Sequence, residues 1–176
     1  MPLSLLVVLV VALFAAEIPA AQKALRSPAS PKAQQAAAAA DIRGVWKVAE
    51  LASRTPGGEW ETRPIYLSQY IFTTKHYSYM YVPGAGPRKL IAGDPNRPTD
   101  AEKVEAYNSL VAATGTYTLS GQVLTMRALV HKNPNEMLGT PLIYNIELVG
   151  NTLRMVISDP PFLPGRESRT VLTRIE

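Results

Sequence analysis

Cysteine is absent from the 176-residue chain, which excludes disulfide staples, thiolate metal sites, a thiol nucleophile and a lipid anchor on cysteine. Histidine is nearly absent: there are two, His76 and His131, with no His-x-His spacing. A metal site would have to collect carboxylates from distant segments, so no metal ligands are predicted. Neither histidine is assigned a catalytic role. His76, next to a tyrosine cluster, reads either as a general base or as a solvated turn residue.

Concentrated charge is missing too. Lys and Arg total 18 against 14 for Asp and Glu, but the bases are scattered, without the basic stripe of a nucleic-acid binder. The motifs of phosphate binding and serine hydrolysis are lacking. Gly84-Ala85-Gly86 runs into Pro87 and no helix, so it cannot cradle a phosphate, and no Gly-x-Ser-x-Gly elbow occurs. Glu59 and Glu61 flank a turn, Asp100, Glu102 and Glu105 fall on a predicted helix, and Glu147 sits on a solvated strand face. None of these is expected inside a core with the raised pKa of a general acid. No bound cofactor is required.

What the chain does contain begins with an apolar run, Leu3 to Ala16, shorter than the ~20 residues of a spanning helix and fitting the core of a signal peptide. No Lys or Arg precedes it. Cleavage near Ile18-Pro19-Ala20 or Ala21 would give an exported, periplasmic or secreted protein with no stable membrane insertion. An uncleaved membrane anchor is the alternative. Residues 22–40, rich in Ala, Pro, Ser and Lys, read as a disordered linker, and 41–176 as one domain of normal size.

From Asp41 onward, short segments of Val, Ile, Tyr, Thr and Leu are broken by turn residues every eight to twelve positions or so, the pattern of an all-β sandwich or barrel. Tyr144, Ile146 and Leu148 alternate with polar residues up to Gly150-Asn151, then Leu153, Met155 and Ile157 alternate after it. A two-residue loop pairs Val149 with Thr152 and Leu148 with Leu153, and puts all six apolar residues on one face. A second hairpin turns near Ser120-Gly121, with Tyr117 and Leu119 before it and Leu124, Met126, Ala128 and Val130 after it. Thr116, Thr118, Thr125 and Arg127 lie on its opposite, solvated face. Further strands are predicted at Gly44–Leu51, Trp60–Arg63 and Arg169–Glu176, and two more within Tyr66–Val82, split by a turn at Thr73–His76.

One helix interrupts this pattern. Thr99 and Glu102 form a capping box, Val104, Tyr107 and Val111 with Leu110 make an apolar stripe, and Gly115 is placed to end it. Such a stripe is expected to dock on the end or flank of a barrel. The Pro83–Pro98 loop before the helix is long enough to serve, with it, as a lid. The prediction is thus an all-β, up-and-down antiparallel β-barrel of eight or nine strands with one helix inserted mid-chain.

Gly44-Val45-Trp46 opens the first strand, and Ile71-Phe72-Thr73, His76-Tyr77-Ser78, Gly115-Thr116-Tyr117 and Gly121-x-x-Leu124-Thr125 follow in order. This succession resembles the bacterial lipocalin-like domain proteins from about Ile42 to Glu176. The resemblance implies a small, nearly closed barrel with an internal cavity, but no particular reaction. It also implies that Gly44 and Trp46 close one end of the barrel, with Arg174 or Arg169 stacked on the indole. The mid-chain helix departs from true lipocalins, so no specific ligand transfers.

Five of the eight tyrosines fall between Tyr66 and Tyr81. On a pleated strand Tyr77, Tyr79 and Tyr81 share a face and offer an aromatic wall with hydroxyl tips; tyrosine is equally a favourable half-buried strand residue. With Tyr70, Tyr117, Tyr144, Met126 and Met155 they make up the predicted lining for a small apolar or amphipathic ligand. Three functions stay open: a binding protein, an isomerase or cyclase with a buried polar pair inside the barrel, and a filled barrel that contacts another protein.

Overall fold

The computed structural model describes residues 41–137 and 139–176. The predicted signal and linker therefore lie outside the described residues. Nine strands follow in chain order: β1 (Gly44–Arg54), β2 (Glu61–Arg63), β3 (Ile65–Phe72), β4 (His76–Pro83), β5 (Val111–Ser120), β6 (Val123–His131), β7 (Leu142–Val149), β8 (Thr152–Ser158) and β9 (Glu167–Arg174). Among the described residues one helix, α1 (Asp100–Asn108), separates β4 from β5, and a 3-10 turn, Pro134–Met137, precedes β7.

Each strand from β3 to β9 pairs antiparallel with the next, and β9 returns to β1, from Trp46 opposite Arg174 to Arg54 opposite Glu167. The other edge of β1 is shared. Gly44–Trp46 pair with β3, and Leu51–Ser53 pair with the short β2. The fold is the predicted up-and-down barrel: eight strands close the cylinder and β2 is an extra piece of wall. Closure removes the exposed strand edges that would otherwise recruit other chains.

The local chemistry explains the registers. Gly150 and Gly121 have φ of 56° and 57°, the positive value required at the first central position of a type II′ hairpin turn. They set Leu148 opposite Leu153 and Leu119 opposite Leu124. Since side chains alternate with period two, those pairings send Leu124, Met126, Tyr144, Ile146, Leu153, Met155 and Ile157 inward, where all are buried. On β9 the inward set is Ser168, Thr170 and Leu172.

Two expectations are corrected. Val130 is exposed, because a register shift between Thr114 and Gly115 adds a residue to β6 and reverses the alternation beyond Ala128. The helix is also shorter and wetter than predicted. Its capping box is present, and Glu102 accepts from the backbone N–H groups of Thr99 and Ala92, both at 2.8 Å. Yet it stops at Asn108, Val111 begins β5, and Gly115 lies within β5 opposite Ala128. No residue of α1 is buried. Three apolar residues at helical spacing offer less than the two full hydrogen-bonded edges that β5 gains between β4 and β6, so sheet pairing takes Val111 out of the stripe.

In an up-and-down barrel, alternate connections fall at the same end. Thr73–Lys75, Gly121-Gln122 and Gly150-Asn151 are tight turns at one end. The connections 55–60, 84–110, 132–141 and 159–166 gather at the other.

Candidate functional site: an aromatic cavity at the long-loop end

The tight-turn end is packed shut. Trp46, Ile42, Phe72, Leu124, Leu153 and Leu172 are all buried there. The Trp46 indole donates to Ile42 O at 2.9 Å, so its one polar atom is satisfied. The Arg174 guanidinium lies 4.1 Å from the Trp46 ring centroid and donates to the carbonyls of Asp41, at 2.8 Å, and of Arg43. It thus ties the chain preceding β1 to the end of β9. Gly44 is needed at this junction: its φ is 131° and an added Cβ would run into Glu176 O. Arg169, the other arginine considered for the stack, is on the outside. It lies 4.2 Å from the Trp60 ring, with Arg54 also over that ring at 4.4 Å, and pairs with Glu50 at 2.6 Å.

The long-loop end is hollow. A cavity of about 520 Å³ opens there, within the roughly 300–1,000 Å³ usual for small-molecule sites. The filled-barrel alternative required no cavity, and so it loses its support. Of the predicted lining residues, Tyr70, Tyr77, Tyr79, Tyr81, Met126 and Tyr144 surround this space. Tyr117 and Met155 do not. Tyr117 turns toward the closed end, where its hydroxyl donates to Thr73 O at 2.6 Å and its ring meets Phe72 edge-on at 5.5 Å. Met155 points inward but is sealed within the core cluster. The parity rule fixes which side of the wall a side chain faces, but not its height along the barrel axis, and that is where these two assignments failed.

The tyrosine wall comes from cross-strand pairing. Tyr70 and Tyr79 are direct partners on β3 and β4, and their rings stack at 4.8 Å and 14°. Tyr77 and Tyr81 flank Tyr79 on the same face at 6.0 and 6.4 Å. Burial pushes these phenols upward: Tyr77 to about 12, and Tyr70, Tyr79, Tyr81 and Tyr144 also above the ordinary tyrosine value, with neighbouring phenols adding to the effect on Tyr70, Tyr79 and Tyr144. At neutral pH all five are uncharged donors and acceptors. Among the described residues the hydroxyls of Tyr70, Tyr77, Tyr81 and Tyr144 have no hydrogen-bonding partner, and none of them is sealed from the cavity.

Several lining residues escaped the sequence reading. His131 ends β6, half-buried, with Nε2 3.5 Å from the Tyr79 hydroxyl. Its Nδ1 lies 2.9 Å from the Asn133 backbone nitrogen and 3.2 Å from the Asn133 carbonyl oxygen. His76, by contrast, is exposed beside the 73–75 turn. Glu136, in the 3-10 turn, places a carboxylate on the lining, although no acidic residue was expected inside. Arg63 on β2 and the buried hydroxyl residues Ser53, Ser168 and Thr170 form the opposite polar side. Neither His131 nor Glu136 carries a motif: the register shift after Ala128 brings His131 inward at the end of β6, and the path of the β6–β7 connection brings in Glu136. Arg63 was recoverable, since it belongs to the short strand predicted after Pro56-Gly57-Gly58.

Leu129, Met137, Gly139, Thr140, Phe162 and Leu163 complete the lining. None of the residues 84–110 lines the cavity, so the Pro83–Pro98 loop and α1 are not its lid. Arg88 instead ties that loop to the end of the helix through Ala106 O and Ser109 Oγ, both at 3.0 Å. Among the described residues no group of three or more His, Asp or Glu could hold a metal ion.

No protein-family model matches the chain, and comparison with curated proteins finds no significant match.

Proposed function

We propose that the protein is an exported, lipocalin-like binding barrel that holds one small amphipathic molecule in its long-loop end. The observation that carries this reading is the cavity of about 520 Å³ walled by five tyrosines, four of them with hydroxyls that have no partner among the described residues. Stacked rings supply apolar area at little conformational cost, and the hydroxyls reward a ligand that brings polar atoms of its own. The packed end, with Trp46 beneath Arg174, supports the lipocalin-like assignment, and the Leu3–Ala16 run supports export. Native mass spectrometry of the protein purified from its own host tests both parts. A mature chain beginning after Ala20 or Ala21 with a small molecule bound is the expected result. Full-length protein that is empty and also fails to take up an uncharged naphthylamine probe would sink the proposal.

The isomerase or cyclase reading is favoured by one observation, the Tyr79–His131 pair inside the barrel. If it turns molecules over, the compound co-purifying with a His131→Ala variant will differ chemically from that on the wild type. Identical compounds on both leave binding alone.

A further inference from the structure

The cavity is electrically lopsided. The arginines around the barrel are mostly neutralised or otherwise employed: Arg43 by Asp41, Arg54 by Glu167, Arg154 by Glu147, Arg166 by Glu61 and Arg169 by Glu50, while Arg174 caps Trp46. Arg63 is different. It reaches the cavity from β2, and among the described residues no carboxylate pairs with it. Its Nη2 donates to the buried Ser53 Oγ at 3.3 Å, and its charge is close enough to Tyr81 to oppose the upward push on that phenol. The one carboxylate among the described lining residues, Glu136, is on the other side, where its charge adds to the upward push on Tyr79 and Tyr144. Ser168 and Thr170, on the strand paired with β1, add two buried hydroxyl residues to the Arg63 side.

We infer that the ligand is an anionic amphiphile, a molecule with one carboxylate or similar group, whose charged end sits on Arg63 beside Ser53 and Tyr81 and whose apolar body lies along Tyr70, Tyr77 and Met126. This rests on the cavity being a binding site and specifies its chemistry. A guanidinium offers paired donors to a planar anion, and one with only a hydroxyl for company, beside an aromatic cavity, has donors to spare. Glu136 fixes the direction, since an anion placed at the Tyr79–Tyr144 side would meet a like charge. A neutral amphiphile would leave the Arg63 charge uncompensated, and a cationic one would be repelled by it.

Displacement of N-phenyl-1-naphthylamine, an uncharged probe, by dodecanoate and by 1-dodecanol tests the inference. Wild-type protein should bind dodecanoate about tenfold more tightly than the alcohol, as expected for a partly solvated charge-assisted bond. Arg63→Met should abolish that preference by weakening dodecanoate binding about tenfold, and a β-sheet circular dichroism spectrum identical to that of the wild type shows the barrel to be intact. Arg63→Lys should retain part of it. Equal binding of the two chains by the wild type, or a carboxylate preference that survives Arg63→Met, overturns the inference and leaves the binding barrel standing. If neither chain displaces the probe, the binding reading fails and takes this inference with it.

Discussion

The two ends of this barrel are made by the same strands and do opposite things. At the tight-turn end, strands meet through two- or three-residue connections, and Trp46, Phe72, Leu124, Leu153 and Leu172 interdigitate with almost no exposed area. At the other, the connections are long, the inward residues are tyrosines and hydroxyl residues, and a cavity remains. Apolar side chains of mixed shape fill space and exclude water. Stiff rings stacked in a row line a wall without reaching the facing one, and their hydroxyls prefer a polar guest to an empty core. Stability and recognition are thus segregated along the barrel axis, so that one end can be altered without dismantling the other.

Substitutions at the closed end should be the most costly. Trp46→Ala should cost about 3–5 kcal/mol, read as a lowered denaturation midpoint in urea, and Leu153→Ala about 2–5 kcal/mol. Single substitutions in the tyrosine wall should each cost less than this, and losses as large there would mean that the wall carries the barrel's stability.

Alkaline pH should distinguish the ends next. A tyrosine whose folded pKa is raised keeps its proton when the unfolded chain has already released it. Its contribution is therefore intact below about 10, the value of an unperturbed phenol, and fades as pH climbs toward the folded value, about 12 for Tyr77. Stability should fall across that interval, and Tyr70→Phe or Tyr144→Phe should flatten the fall. A barrel equally stable above and below pH 10 would show that the wall is wetter than its burial indicates.

Removing the cation from the closed end should have a smaller effect. Arg174→Ala gives up the stack on Trp46 and the bonds to the Asp41 and Arg43 carbonyls, which together are worth about 1–3 kcal/mol. The same substitution should leave probe binding at the far end unchanged. The smallest effect is also the most telling in sign. Tyr70→Phe and Tyr144→Phe delete hydroxyls that have no partner among the described residues, so at neutral pH they should shift stability by less than about 1 kcal/mol, toward greater stability. A clear loss instead would reveal a bond to the hydroxyl, and a weakened ligand affinity in the same variants would assign that hydroxyl to the guest.

The barrel was legible because its information is local and periodic. Gly150-Asn151 states where the chain turns, and the alternation around it states which face is buried; the observed pairing of Leu148 with Leu153 is the one this spacing predicts. The capping box at Thr99 was equally local and is present. The end of α1 was misplaced because Val111 satisfies two patterns at once, and only the sheet offers it partners on both sides. The inward face of β6 was misread beyond Ala128 because a single register shift, which leaves no mark in composition, reverses every later residue.

The site was legible in part. Tyr70, Tyr77, Tyr79, Tyr81, Met126 and Tyr144 were placed on the cavity by parity alone, while Tyr117 and Met155 were right as to face but lie at the wrong height; Arg63 and Glu136 come from elements that share no period with the wall, and His131 from beyond the register shift in β6. The strands, their turns and, away from the register shift in β6, the inward side chains follow from the amino-acid pattern alone, through a period of two and glycines that adopt positive φ. Only the tertiary structure decided which end of the cylinder is filled and which charges look into the hollow one. Height along an axis and the landing point of a long loop depend on how strands from opposite ends of the chain are staggered when the barrel closes.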